Sequence, residues 1–459
     1  MVAVVGFVAL VFGVTLLIHY YLWRRLVRAT TLPGRSRRVL TRVLVGLGAL
    51  VPVTLIGSRT EWGHFLAWPG FFWLATMFYL LVFLVALEIP RALALLALRR
   101  SDRRGSADRQ ARSLAGDRGS RAPDRVPAST VSDPMSDPMS DPAPAASAAP
   151  AEAAVSGDEG DEGDQPGRAG SGTPGRDGTP EMIGRRLFIA RTAAAIAGAG
   201  ALATVGSGVR TALGDPVIER VGVALPRLDP RLSGLRFAVV SDIHLGPLTG
   251  RGHTERIVRM INALEADVVA IVGDLVDGTV AELGPLARPL ASLESRYGAY
   301  FVTGNHEYYT ANGPGEWIEE LRELGVRPLA NERVEIAHAG AVLDLAGVND
   351  LTGTTVDEGP DFERALGGRD RSRSTVLLAH QPLQAREAAR HGVDLQLSGH
   401  THGGQMVPFN LVVPLQQPVV AGLGEVDGTR VYVTRGAGFW GPPVRVGAPP
   451  EITLLELRT

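Results

Sequence analysis

Five of the chain's ten histidines sit in short segments of its C-terminal half, each beside a carboxylate, an amide or a glycine. In order these are Asp242-Ile-His244, Gly304-Asn305-His306-Glu307, His380 and Gly399-His400-Thr-His402, and a fifth segment without histidine, Gly273-Asp274-Leu-Val-Asp277, falls after the first. Carboxylate, imidazole and amide oxygen together form a donor set for divalent cations, and the share of imidazole favours Mn, Fe or Zn over Ca or Mg. In Asp-x-His and His-x-His, an extended backbone would send both side chains to one side, toward a common metal region. Glycines at 273, 304 and 399 permit tight turns and keep bulk away from such a site. The chain has no cysteine, which excludes disulfides, thiolate metal sites and cysteine nucleophiles.

These residues need a scaffold that brings distant segments together. Each follows an apolar run of strand length, at residues 237–241, 268–272, 300–303, 376–379 and 395–397. Helix-like stretches at 252–264 and 282–296 alternate with the first runs. That alternation predicts an α/β sheet, whose ligands gather at the carboxyl ends of the strands.

The ordered set resembles the calcineurin-like metallophosphoesterase family, over residues 236–457. The wording Gly-His-Thr-His-Gly-Gly-Gln, Arg435-Gly436 and Pro449-Pro450-Glu451-Ile452 resembles its membrane-attached or exported bacterial branch, and no core motif departs from the family pattern. The resemblance implies an α/β fold, a sandwich of β-sheets flanked by helices, holding two divalent metal ions. Asp242, His244 and His402 would hold the first, Asp274 would bridge, and Asn305, His380 and His400 would complete the second. His306 would face the phosphate as general acid or charge stabiliser. Asp277 and Glu307 would orient the ligating histidines.

Two cations about 3.5–4 Å apart lower the pKa of a shared water and neutralise phosphate charge, so that a hydroxide attacks in line. The implied activity is metal-dependent hydrolysis of phosphoric esters. Phosphodiesters come first, with phospholipid and cell-envelope esters among them. A broad phosphomonoesterase and a non-catalytic metal-binding membrane sensor are the alternatives.

The residues ahead of this part are of another kind. Val2–Leu22 is almost continuously apolar and long enough to cross a hydrocarbon core of roughly 30 Å. Residues 39–57, interrupted by Arg42 and Pro52, and 66–87, with Trp62, Trp68 and Trp73 near the leading end, read as two further spans. Residues 101–184 lack aromatics, carry a Ser-Asp-Pro-Met repeat and an acidic block at 158–164, and predict a disordered cytoplasmic linker. Arg185-Arg186 then open an Ala- and Gly-rich segment over 185–210, a fourth span or a twin-arginine-like signal anchor. The expected order is therefore a membrane region at 1–100, the linker at 101–184, this segment, and the phosphoesterase domain at 231–459. Arginine clusters at 24–38 and 91–104 predict cytoplasmic flanks, hence a multi-pass cell-membrane protein with its catalytic domain outside the cytoplasm. The formal net charge of -2 gives no basic field, and no nucleic acid partner is indicated.

Outside the motifs, residues 439–443 (Phe-Trp-Gly-Pro-Pro) read as a packed loop or as a rim facing membrane or substrate. Tyr308, Tyr309 and Asn349-Asp350 are candidate pocket contributors. His253, His338 and His391 read as surface or loop residues.

Overall fold

The structure, a computed structural model, describes residues 2–57, 65–118 and 180–459. Trp62 and the repeat and acidic block of the expected linker lie outside these. Four helices come first: α1 (Val2–Leu22), α2 (Arg35–Gly57), α3 (Ala67–Arg118) and α4 (Pro180–Leu213). By length and composition, Arg35–Gly57, Ala67–Leu98 and Gly184–Leu213 can each cross a membrane, and α1 is helical over the whole of the first apolar run. The linker boundary at 101 needs correction, because α3 stays helical to Arg118 and α4 begins at Pro180. Arg, Ala, Gln and Leu between 101 and 118 are good helix formers, and helix formation there needs no buried face. Residues 92–186 form a unit of their own, apart from one made of residues 1–91 and 187–459.

Within the larger unit, Leu22, Leu44, Tyr79 and Leu84 of the first three helices share an apolar cluster with Ala197, Ala201 and Val205 of α4. Glu88 of α3 lies 2.6 Å from Arg25, which neutralises a charge that lipid would penalise.

The remainder is a sandwich of two six-stranded sheets. The first contains β1 (Val217–Ala224), β2 (Arg236–Val240), β3 (Val268–Val272), β4 (Ala299–Val302), β5 (Val326–Pro328) and, from the far end of the chain, β12 (Glu451–Arg458), in the order β1-β12-β2-β3-β4-β5. The second contains β6 (Glu332–His338), β7 (Ala341–Gly347), β8 (Thr375–Leu378), β9 (Leu395–Ser398), β10 (Gly422–Val426) and β11 (Thr429–Val433), in the order β10-β11-β9-β8-β7-β6. The sheet thus begins at Val217, ahead of the boundary expected at 231. β1 is an edge strand with a mostly exposed, mixed pattern, which carries little strand signal on its own.

Strand β3 shows why these runs form central strands. All five of its residues are buried. Val268, Ala270 and Val272 face the core between the sheets, with Phe237, Leu378, Leu397 and Leu455. Val269 and Ile271 face outward, onto Ile257 and Ile261 of α5 (Arg251–Asn262) and Trp317 of α7 (Gly315–Glu323). A strand covered on both faces is apolar throughout, as in parallel sheets between helices. Between α5 and α7 lies α6 (Val280–Ala287), opened by a capping box of Thr279 and Glu282. On the second sheet, α8 (Phe362–Leu366) and α9 (Ala385–Arg390) cover the outer face through Phe362, Leu366 and Ala388. Strands β2, β3 and β4 run parallel to one another, as do β7, β8, β9 and β11, so several strands of each sheet present carboxyl ends together.

Candidate metal centre

Every motif residue lies just past such an end: Asp242 and His244 after β2, Asp274 after β3, Asn305 and His306 after β4, His380 after β8, His400 and His402 after β9. The loops are laced to each other. Asp242 donates its backbone N–H to the Gly273 carbonyl at 3.0 Å, and His244 donates to the Asp274 carbonyl at 3.1 Å. The His306 N–H reaches the Asp274 carboxylate at 2.9 Å, and the His400 N–H reaches that of Asp242 at 3.0 Å.

The backbone differs from the extended geometry expected of Asp-x-His and His-x-His. Asp242, His244, Asp274, His400 and His402 all have positive φ, between 48° and 71°. That left-handed region is sparsely used by non-glycine residues, and its cost is sustained where the surroundings fix the conformation for a purpose. The side chains converge because each loop turns sharply at the residue itself. Glycine is required alongside: a Cβ on Gly399 would overlap Ser241 and Asp242, and one on Gly304 would overlap Asp274.

Three overlapping groups result: Asp242, His244 and His402; His244, Asp274 and His306; Asp274, His380 and His400. Inside them, His402 Nε2 lies 3.1 Å from His244 Nε2 and 3.2 Å from Asp242 Oδ1. His380 Nε2 lies 3.2 Å from Asp274 Oδ2, and His400 Nδ1 lies 2.8 Å from Asn305 Oδ1. Donors about 2.0–2.2 Å from a common cation and at right angles stand about 3 Å apart, so these spacings suit adjacent ligands.

The tautomers sharpen the fit. His380 donates from Nδ1 to the Val272 carbonyl at 2.8 Å, which leaves a lone pair on Nε2. That Nε2 is fully buried, has no hydrogen-bond partner and faces a carboxylate oxygen, an arrangement that calls for a cation. His244 is set alike, its Nδ1 lying 2.8 Å from Asp277. His402 is different: the Arg445 guanidinium donates to its Nδ1 at 3.1 Å, so the ring proton sits on Nε2, and a metal there would require that proton to move to Nδ1 and this contact to give way.

His306 is less enclosed. Its Nδ1 lies 2.7 Å from Asp277, and its ring meets His244 and Tyr309 edge-on. Burial works against its protonation, but the Asp274 and Asp277 carboxylates raise its pKa to about 9. Burial likewise opposes ionisation of Asp277, yet His244 and His306 hold its carboxyl below the usual range.

Asp277 therefore orients histidines as expected, whereas Glu307 does something else. Its buried carboxylate accepts backbone N–H groups of Gly304, Asp274 and Leu275 at 2.6, 3.1 and 2.8 Å, fixing the two loops rather than any imidazole. Asp350 does not join the ligand groups; it is buried and binds Gln381, the neighbour of His380, at 3.0 Å. His253 is buried on α5, not on the surface. In the 439–443 loop Phe439 is buried and Trp440 exposed.

Arg445 is the residue that the motifs did not disclose. Although fully buried, it donates to the carbonyls of Gly438, His402, Arg435 and Ala448 at 2.6–3.2 Å. Its signal in the sequence is a single arginine in an apolar, Gly/Pro-rich stretch.

The model of the calcineurin-like phosphoesterase family matches residues 235–404, the stretch that holds all seven candidate ligands and His306. A cattle transmembrane protein with a metallophosphoesterase domain is 44% identical over 263 residues, 55% of this chain and 59% of that one. A Helicobacter pylori metallophosphoesterase is 41% identical over 248 residues, 53% of this chain and 65% of that one. The chain thus spans about three fifths of the length of these relatives. A metallophosphoesterase of Aquifex aeolicus is 33% identical over 245 residues, which are 52% of this chain but 91% of the relative. With that protein matched almost end to end, and the ligand-bearing loops inside the matched region, the chain belongs to the calcineurin-like phosphoesterase family.

Proposed function

We propose that the protein is a membrane-anchored, metal-dependent phosphoesterase that hydrolyses phosphodiesters, with phospholipid headgroups and cell-envelope esters as the first substrates to try. The observation that carries this reading is Asp274, whose carboxylate belongs to two ligand groups at once, beside the orphaned Nε2 of His380.

Asp242, His244 and His402 would hold one cation and Asn305, His380 and His400 the other, with the Asp274 carboxylate available to both. When bound, such a pair activates water and neutralises phosphate charge, and Mn, Fe or Zn suits the imidazole-rich donors. The chain's own residues do the rest. Asp277 holds His244 and His306 in register through their Nδ1 atoms. With its other nitrogen directed to the site and its pKa raised, His306 is a proton donor to the departing alkoxide. Glu307 and Arg445 keep the ligand loops from moving apart.

The arginine-rich flanks at 24–38 and 185–191 support a multi-pass anchor with the catalytic unit outside the cytoplasm. The name of the cattle relative supports the membrane setting.

The test is turnover by the purified full chain in detergent. Bis-para-nitrophenyl phosphate, para-nitrophenyl phosphate and a phospholipid are compared with Mn or Zn, for the wild type and His306→Ala. Metal-dependent cleavage of the diester or lipid, lost in the variant, is expected. Preference for the monoester would replace the diesterase reading with a phosphatase, and no turnover by the folded, metal-loaded chain would leave a binding role.

A further inference from the structure

Residues 405–424 follow closely on His402 and contain no charged side chain. Gln405 and Gln417 are buried, but most of the apolar side chains do not fold inward. Phe409, Leu411, Val412 and Leu415 are exposed, Leu411 by 73% and Leu415 by 87%. Trp440 of the neighbouring loop is 58% exposed, and its backbone is bound on both sides by the Gln405 side chain, at 2.9 and 3.0 Å. A run of large apolar side chains left in the open, with no charge among them, marks an interaction surface rather than scatter.

What covers that surface follows from where the loop is rooted. Met406 pairs with Val446, and Met406, Val444 and Val446 belong to the apolar cluster of the helices, with Ala201 and Val205 of α4. Gly208 near the end of α4 packs on Val444, and Gly441 packs on Phe71 at the start of α3. These helix ends mark a membrane boundary. From Leu187 to Gly208 a helix rises about 32 Å, close to the roughly 30 Å of a hydrocarbon core. Trp68 and Trp73, at the same end of α3 as Phe71, are of the type that settles at lipid–water boundaries.

We propose that the loop from Met406 to Gln416, with Trp440, is a hydrophobic wedge that enters the lipid leaflet next to the end of α4. The apolar surface of the helices then continues onto the catalytic unit without a break. Insertion does not need the centre to be a phosphoesterase. If that reading also holds, which this last consequence requires, the ester that reaches the metals is carried by a lipid.

Absence of native cysteine makes the test direct. Leu411→Cys and Leu415→Cys are labelled with an environment-sensitive fluorophore in the full chain. Arg371→Cys, exposed ahead of β8 at the other end of the strands from the metal loops, is the reference. The chains are reconstituted in vesicles of equal parts phosphatidylcholine and phosphatidylglycerol. Quenching by aqueous iodide is compared with quenching by phosphatidylcholine bearing a nitroxide near its headgroup. The expected result is several-fold stronger lipid quenching at 411 and 415 than at 371, with iodide quenching reversed. Iodide quenching at 411 and 415 equal to that at 371 would overturn the proposal. Protection from both quenchers that fades as the protein is diluted into more lipid would overturn it too, assigning the surface to a second copy of the chain. Turnover of soluble bis-para-nitrophenyl phosphate in the same vesicles tells a failed wedge from a failed centre.

Discussion

Arg445 donates its backbone N–H to the carbonyl of Gly208, 3.0 Å away. The first residue serves the metal centre and the second belongs to a helix that can cross a membrane, so anchor and site share a hydrogen bond. The Arg445 guanidinium then reaches Nδ1 of His402. An arginine at 1% exposure with only carbonyls and an imidazole as direct partners must satisfy many acceptors, and does. Removing it strands them. Arg445→Met is expected to cost about 3 kcal/mol or more, lowering the thermal midpoint of the full chain by roughly 10 °C. Metal content should fall as well, because His402 loses its support. An unchanged midpoint, read by calorimetry, would rule out this structural role.

Asp277 is a residue on which two histidines depend. Asp277→Asn keeps the shape but removes the charge that orients His244 and His306. Turnover of the diester should drop by about 10–100-fold, in line with the loss of partners behind a metal ligand. Steady-state kinetics with saturating Mn checks it, and near-native turnover would show that the carboxylate is dispensable.

Chelation gives a measurement independent of catalysis. Free metal at a hundredfold excess over its dissociation constant adds about 2.7 kcal/mol to stability. Dialysis against a chelator should therefore lower the midpoint, and returned Mn should restore it. Asp274→Asn should show little of this response.

His253, which is not a metal ligand, predicts a pH dependence of stability. Burial on α5, reinforced by the Arg256 cation, lowers its pKa from 6.5 to about 4. The unfolded chain therefore binds a proton that the folded chain refuses. The contribution is fully present above pH 6.5 and is lost as pH falls through about 4. It amounts to on the order of 3 kcal/mol. His253→Gln should flatten the fall in thermal midpoint between these values, and an unaltered slope would mean that the ring titrates normally.

The site was more legible in the sequence than its geometry. Asp242, Asp274, Asn305, His380 and His400 each follow an apolar run, and strand ends in an α/β sheet leave little choice of where such residues meet. Period-two reasoning then failed for Asp-x-His and His-x-His, because positive φ is imposed by contacts from other loops and not by the residues' own preference. Glu307 was placed by its motif but not by its task, since backbone N–H acceptance depends on how two loops pack. β1 was missed because an edge strand with one parallel neighbour needs few buried residues, and Arg445 because its acceptors are carbonyls, which any sequence has. The continuation of α3 past residue 100 was hidden by a composition that suits an exposed helix and a coil about equally.

The place of β12 between β1 and β2 ties the order of synthesis to the order of assembly. β1 follows α4 directly and is made long before its partner. Until residues 451–458 leave the ribosome, β1 has no neighbour and β2 keeps an open edge. Gly436, whose carbonyl accepts the Glu451 N–H at 2.9 Å, is meanwhile unsecured beside Asp242. The anchor can enter the bilayer while this slot is still empty. The nascent domain therefore carries unpaired strand edges until its last strand is made, and needs shielding from neighbouring chains for that time.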